Sequence, residues 1–307
     1  MRRLSHLIGK TPILRLLATE KYFGISAQLY AKLEMVNPGG SVKDRAALFM
    51  MERAKRLGLI GRGSIVVEAT SGNMGISLAM LSSVYGYRAV IVMPENMSVE
   101  RVSLIRAYGG EVIFTPESGG MAEAKRRAAE IAEERGGYMP GQFTNPENSH
   151  AHYSTTGREI YRDMHGRVDV LLCGVGTGGT LGGGGRYLKE KNSSIRLIAV
   201  EPEESAVLSG KNPGPHGIQG IGAGFAPPLL MDIHPDVVIT ENTDRAIWGV
   251  RELSRREGVF CGISSGAVYS AAISLGAMAE NRGKRIVMVL PDGGERYLSV
   301  LSKYLTT

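Results

Sequence analysis

Short apolar runs rich in β-branched residues alternate with longer segments of helical period along most of this chain. "SIVVEAT" precedes "ISLAMLSSVYG", "RAVIVMP" precedes "SVERVSLIRAYG", and "EVIFTP" precedes "GMAEAKRRAAEIAEERGG". Further on, "VDVLLCG" leads into "GGGGRYLKEK", followed by "IRLIAVEP", "PDVVIT", "DRAIWGVRELSRREG", "VFCGISS", "AVYSAAISLGAMAEN" and "RIVMVLP". Apolar runs without alternation read as strands buried on both faces, and strands separated by helices predict parallel sheets covered on both sides. The pattern breaks at residues 137–150, "GYMPGQFTNPENSH", which has many turn formers and predicts a crossing between two units. A second irregular stretch runs from Ala206 to Pro228. The fold class expected is α/β, with two domains, each a twisted, mostly parallel sheet flanked by helices.

Composition narrows the functional classes. The 307 residues are 43% hydrophobic and include 41 glycines, enough for a large core. The net charge of +6 comes from interspersed charges, as in "EAKRRAAEIAEER", and aromatics are 6% of the chain. That combination predicts no nucleic-acid groove, and the mild basic excess suits anionic small molecules. Cys173 and Cys261 sit in apolar, strand-like runs, as expected of buried thiols in a reducing compartment. No metal-ligand cluster is evident; His150 and His152, in "NSHAHY", are expected on a loop or at a helix entry. No stretch reaches membrane-spanning length and "MRRLSHLIGKTPILRL" lacks a continuous signal-peptide core, so a cytoplasmic protein with no membrane partner is expected.

In parallel sheets ligands bind where strands end and helices begin. Four such loops stand out. "CGVGTGGTLGGGG" follows a strand and opens a helix, so its glycine N–H groups and threonine hydroxyls suit a phosphate. Gly174, Gly176 and Gly179 also satisfy G-x-G-x-x-G, with Glu201 ending the next strand, which keeps an NAD-dependent oxidoreductase in play. In "EATSGNMG", Thr70, Ser71 and Asn73 place short donors at a helix entry, suited either to a carboxylate or to plain capping. "CGISSGA" carries Ser264 and Ser265, which could cap a helix or face a site. "NPGGSVKDR" puts Lys43 at a helix start; its spacing fails the Walker pattern. A phosphate cup, a carboxylate loop and a lysine amine together suit an aldehyde cofactor bearing a phosphate.

The ordered motifs "NPGGSVKDR", "TSGNMG", "GQFTNPENSHAHYSTTGREI", "GVGTGGTLGG", "VEPEES", "HGIQGIGAGF", "CGISSGA" and "PDGGERYLS" resemble the O-acetylserine sulfhydrylases, the cysteine synthases among fold-type II pyridoxal-phosphate enzymes. The resemblance spans nearly the whole chain. It implies a smaller, mobile domain at 36–148 with the carboxylate loop, and a larger one from 1–35 plus 149–307 with the phosphate loop. It implies pyridoxal 5'-phosphate linked covalently to Lys43, its phosphate held by Gly176, Thr177, Gly178, Gly179 and Thr180, its ring hydroxyl by Asn73, and its pyridine nitrogen facing Ser264. Thr70, Ser71, Asn73, Met74 and Gln142 would receive the substrate carboxylate, and Gly220 and Gly222 would border the substrate amine and leaving group. Met74 departs from the family, which usually has threonine there; a side chain pointing into the cleft would alter specificity, whereas one packed beneath the loop would serve stability. The implied reaction replaces the acetate of O-acetylserine with sulfide. O-phosphoserine sulfhydrylase, cystathionine β-synthase and diaminopropionate-type synthases share the cofactor cage. A homodimer is implied, and some relatives bind the C-terminal tail of serine acetyltransferase.

Overall fold

The computed structural model describes residues 3–70, 72–230 and 233–305. In chain order the main elements begin with β1 (Ile13–Arg15), α1 (Leu17–Tyr22), β2 (Gln28–Leu33) and α2 (Lys43–Arg56). There follow β3 (Ile65–Ala69), α3 (Asn73–Tyr85), β4 (Arg88–Pro94), α4 (Val99–Ala107), β5 (Glu111–Thr115) and α5 (Gly120–Arg135). The chain continues through α6 (Pro146–Ala151), α7 (Gly157–Asp163), β6 (Val170–Gly174), α8 (Gly185–Lys191), β7 (Arg196–Pro202) and β8 (Val237–Glu241). It ends with α9 (Thr243–Glu257), α10 (Ile263–Ala277), β9 (Arg285–Leu290) and α11 (Leu298–Leu305).

Two sheets form. The larger has the order β1-β2-β9-β6-β7-β8 and the smaller β3-β4-β5. All pairs are parallel except β1 with β2 at the edge. Alternate residues of one strand enter different cores, as continuous apolar runs require. Val170 and Leu172 of β6 pack into one cluster, Leu171 and Cys173 into another. In the smaller sheet Val66 and Val67 divide in the same way.

Strand order fixes where ligands can bind. From β6 the chain moves outward through β7 and β8, then returns to place β9 on the other side of β6. A crevice therefore opens beyond the C-terminal ends of β6 and β9. The smaller sheet repeats this arrangement: after β5 and α5 the chain returns to bridge Val66 through Tyr138, on the free side of β3. The loop after β3 and the segment after Tyr138 thus emerge side by side.

Two sequence expectations fail. "NSHAHY" is not a loop: α6 spans most of it, with the Asn145 side chain accepting from Glu147 N–H and Pro146 in the first turn. His152 follows in a π-helical turn and is buried rather than superficial. Cys261 is not in a strand. With α9 ending at Glu257 and α10 starting at Ile263, only a short link remains, and Cys261 makes a single bridge to Gly293.

Helix α2 connects the two sheets. Met50, Met51 and Ala54 pack into the core of the smaller one. On its other side Arg45, 1% exposed, gives Nε and Nη2 hydrogen bonds to Glu34 at 2.7 and 2.8 Å, and Nη1 and Nη2 bonds to Glu159 of α7 at 2.8 Å each. Lys32 of β2 adds a 2.8 Å ion pair to Glu159 and donates to Thr11 O. Burial works to raise the Glu159 carboxyl, but the hydrogen bonds and charge of Arg45, with Lys32, outweigh it and hold the group at about 2. Its contribution to stability is therefore complete above the ordinary value of 4.5 and is lost as pH falls toward 2. Arg45→Met should leave the buried Glu34 without a cation and Glu159 with Lys32 alone, and cost roughly 3–5 kcal/mol in denaturant unfolding, with the deficit shrinking as the pH is lowered from 7 to 4. A loss under 1 kcal/mol at neutral pH would show the network to be dispensable.

Candidate active site

Lys43 is the first residue of α2 and borders two adjoining cavities. The preceding turn is held tightly. Gly40, at φ +76°, donates its N–H to Asn37 O, and the Asp44 carboxylate accepts from Gly39 N–H at 2.6 Å and Ser77 Oγ at 2.5 Å. Val42 N–H bonds Pro291 O, which ties the turn to the end of β9. Burial pushes the Lys43 amine below its ordinary value, opposed by the charge of Asp292, so a larger share is neutral and able to act as a nucleophile or base.

The smaller cavity, about 30 Å³, lies at the β6–β9 crevice and is lined by Lys43, Gly176, Thr177, Gly178 and Thr180 among others. Its glycines are required by close approach. A Cβ on Gly176 would meet Gly220 O at 2.5 Å, and Gly178 has φ +82° with Leu230 2.9 Å from where a Cβ would stand. A Cβ on Gly179 would collide with the Asn148 amide. Asn148 Nδ2 donates to Thr177 Oγ1 at 3.0 Å, and Thr180 Oγ1 lies 3.3 Å from His152 Nε2. Burial, then the charge of Arg45, lowers His152 to about 3, so its imidazole is neutral near pH 7. Glu201 is unavailable to a ribose: it accepts from Leu208 N–H, Ser209 N–H and Ser209 Oγ.

The larger cavity, about 460 Å³, brings together Lys43, Thr70, Asn73, Gln142, Gly220, Gly222 and Ser264. Ser71 lies outside the described residues. Thr70, Gly72 and Asn73 border the cavity where β3 gives way to α3. Gln142 joins them because Glu68, near the end of β3, accepts the N–H groups of Gly141 and Gln142 at 3.0 and 3.3 Å. Ser264, in the first turn of α10, is buried, and among the described residues its side chain makes no hydrogen bond. Gly220 and Gly222 have φ of +101° and +69°, which lets their loop run close to Ser264 and Pro202.

"PDGGERYLS" supplies a clamp that sequence reasoning saw as a motif but did not interpret. Asp292 accepts from Asn73 Nδ2 at 2.7 Å and from Tyr297 OH, while Arg296 Nη1 donates to Asn73 Oδ1 at 2.7 Å. This fixes which end of the Asn73 amide is the donor and leaves one Nδ2 hydrogen. For Met74 the structure favours the packing reading over a side chain in the cleft. Met74 borders the cavity, but its side chain is 1% exposed and packs in the core of the smaller sheet.

These parts fit a phosphate-bearing aldehyde cofactor: a cradle whose glycines pack too closely against Gly220, Leu230 and Asn148 to carry a Cβ, threonine hydroxyls at its rim, and a desolvated amine beside it. A family model described as pyridoxal-phosphate dependent enzyme matches residues 4–292. The chain belongs to the pyridoxal-phosphate dependent enzymes. It is 48% identical to a cysteine synthase of Staphylococcus aureus (strain N315), over 96% of this chain and 95% of that protein. Among solved structures it is similar to an O-ureido-L-serine synthase, at TM-score 0.95 and 40% identity over 99% of this chain and 96% of the other. It is also similar to a cysteine synthase from Entamoeba histolytica, at TM-score 0.94 and 42% identity over 99% and 91% of the two chains. The family membership and the engagement of Glu201 remove the dinucleotide reading of the glycine loop.

Because Met74 is core, Met74→Thr should lower stability by roughly 1–3 kcal/mol, from a small cavity and a buried hydroxyl, and leave preference among serine esters unchanged. A thermal melt run beside steady-state kinetics checks both; altered preference with an unchanged melting temperature would put the side chain in the cleft.

Proposed function

We propose that the protein is an O-acetylserine sulfhydrylase, converting O-acetyl-L-serine and sulfide to L-cysteine and acetate. The observation that carries this reading is the position of Lys43 between the phosphate cradle and the Thr70–Gln142 loops, where Lys43, Gly176 and Thr177 are shared by the two adjoining cavities. Pyridoxal phosphate, when bound, supplies an aldehyde for amines and a ring that draws electron density from the substrate Cα. Gly176, Thr177, Gly178, Gly179 and Thr180 hold its phosphate, Asn73 offers its free Nδ2 hydrogen, and Ser264 faces the ring nitrogen. A serine hydroxyl there does not enforce protonation as a carboxylate would. Thr70, Ser71, Asn73 and Gln142 bind the substrate carboxylate, and Gly220 and Gly222 shape the wall near its amine and ester. Lys43 removes the proton from Cα and later returns it, a role suited to an amine lowered by burial. Acetate leaves from Cβ with the C–O electron pair, and sulfide forms the new C–S bond with its own pair.

The reading includes a smaller mobile domain at 36–148 that closes on the carboxylate and excludes water, against a larger domain of 1–35 plus 149–307. Homodimer formation and docking of a serine acetyltransferase tail in the cavity belong to it on the strength of the resemblance. A cytoplasmic location accords with two buried, unpaired cysteines, Cys173 and Cys261. Among the described residues no helix is long and apolar enough to cross a membrane.

The test is a panel of O-acetyl-, O-phospho- and free serine with sulfide, read by product mass. Cysteine should form fastest from the acetyl ester, and Lys43→Ala should lose turnover by at least about 10³-fold while keeping its fold, since it removes both nucleophile and base. Equal rates for wild type and Lys43→Ala, or no cysteine from O-acetylserine, would refute the proposal.

A further inference from the structure

The larger cavity carries charge that sulfide does not need. Lys43, Arg101 and Lys125 border it, and among the described residues no Asp or Glu does. Arg101, on α4, is 3% exposed; it donates to Gln219 Oε1 at 2.6 Å and lies 4.7 Å from the Tyr297 ring centroid. It is a fixed, desolvated positive charge in the wall. Lys125, on α5, stands at an aromatic pair formed by Phe143 and Phe225, whose centroids are 5.3 Å apart. Its Nζ is 5.0 Å from one ring and 5.3 Å from the other. Ring faces stabilise an ammonium without consuming its three directional donors. The carboxylate that feels its charge, Glu68, is committed to the N–H groups of Gly141 and Gln142.

We propose that Lys125 determines specificity by reading an anionic group, a carboxylate or a phosphate, at the outer end of a reactant. The group sits on a thiol that replaces sulfide or on the leaving group of the serine ester. This rests on the β-replacement reading above. With a thiol the balance is unchanged in kind: the Cβ–O bond breaks with its pair on acetate, the thiolate pair makes the Cβ–S bond, and the thiol proton passes to solvent. The Cα proton is removed and returned by Lys43. A cation in a cavity with no carboxylate in its described lining favours the anion-bearing reactant by charge, and the aromatic pair on which it rests limits where that charge can go.

The experiment uses the holoenzyme with two arms. At saturating O-acetylserine, mercaptoacetate is compared with its neutral isostere mercaptoacetamide. At saturating sulfide, O-phosphoserine is compared with O-acetylserine. Lys125→Met should raise KM for the anionic member relative to the neutral one by roughly fivefold or more in one arm, with kcat held and the effect shrinking in high salt. Lys125→Arg should restore it. The arm that responds names the carrier of the anion. An anionic-to-neutral KM ratio that is the same in wild type and Lys125→Met in both arms overturns the inference. Normal cysteine formation in that case leaves the β-replacement reading standing, whereas no cysteine from O-acetylserine and sulfide strikes that reading itself.

Discussion

The position of Lys43 depends on the buried ion network two residues further along the same helix. Arg45 places its guanidinium between Glu34 and Glu159, and Lys32 completes a buried set of two cations and two carboxylates, with the half-buried Asp163 at its edge 3.6 Å from Lys32. Taking four charges out of water is costly, and only matched pairing with saturated hydrogen bonds offsets it. The consequence is geometric. Sliding α2 by one residue would swing Arg45 about 100° around the helix axis, leaving Glu34 without a cation and Glu159 with Lys32 alone. The network thus fixes the register and rotation of the helix that carries Lys43, against the sheet that carries the phosphate cradle.

With that helix fixed, the rest of the site follows from topology. The larger sheet reverses its strand order once, and beside the smaller one the chain returns after α5 to bridge Val66 through Tyr138; each return opens a crevice at strand C-terminal ends. The larger sheet puts glycine N–H groups and threonine hydroxyls in its crevice, suited to a phosphate. The smaller sheet puts the Thr70 loop and Gln142 in its own, suited to a carboxylate. Lys43 enters between them, and the segment from Asp292 to Tyr297 locks Asn73 from behind. A phosphate-bearing aldehyde and an amino acid can therefore meet at a single amine.

Much of this was legible in the sequence because it is local. The doubly buried strands, the glycine-rich loop after β6 and the donors after β3 each announce themselves within a dozen residues. What escaped is long-range or locally ambiguous. Glu34 and Glu159 lie 125 positions apart, and nothing in either neighbourhood marks them as partners of Arg45. Asn73 and Arg296 are likewise joined only in the fold. His152 reads as a loop histidine until α6 carries it under the Thr180 turn, although "NPE" held a legible helix start. Met74 could not be placed from sequence because a methionine suits a cleft and a core equally; α3 packing against the smaller sheet decides for the core. "VFC" has strand composition, but it finds no strand partner beyond the single bridge of Cys261 to Gly293.

The covalent role proposed for Lys43 can be read directly. Purified holoprotein reduced with borohydride and digested should yield a single pyridoxyl-modified peptide, and fragmentation should place the modification on Lys43. Modification of another lysine, Lys125 included, or recovery of unmodified Lys43 with all the cofactor released, would contradict the assembly of the site described above.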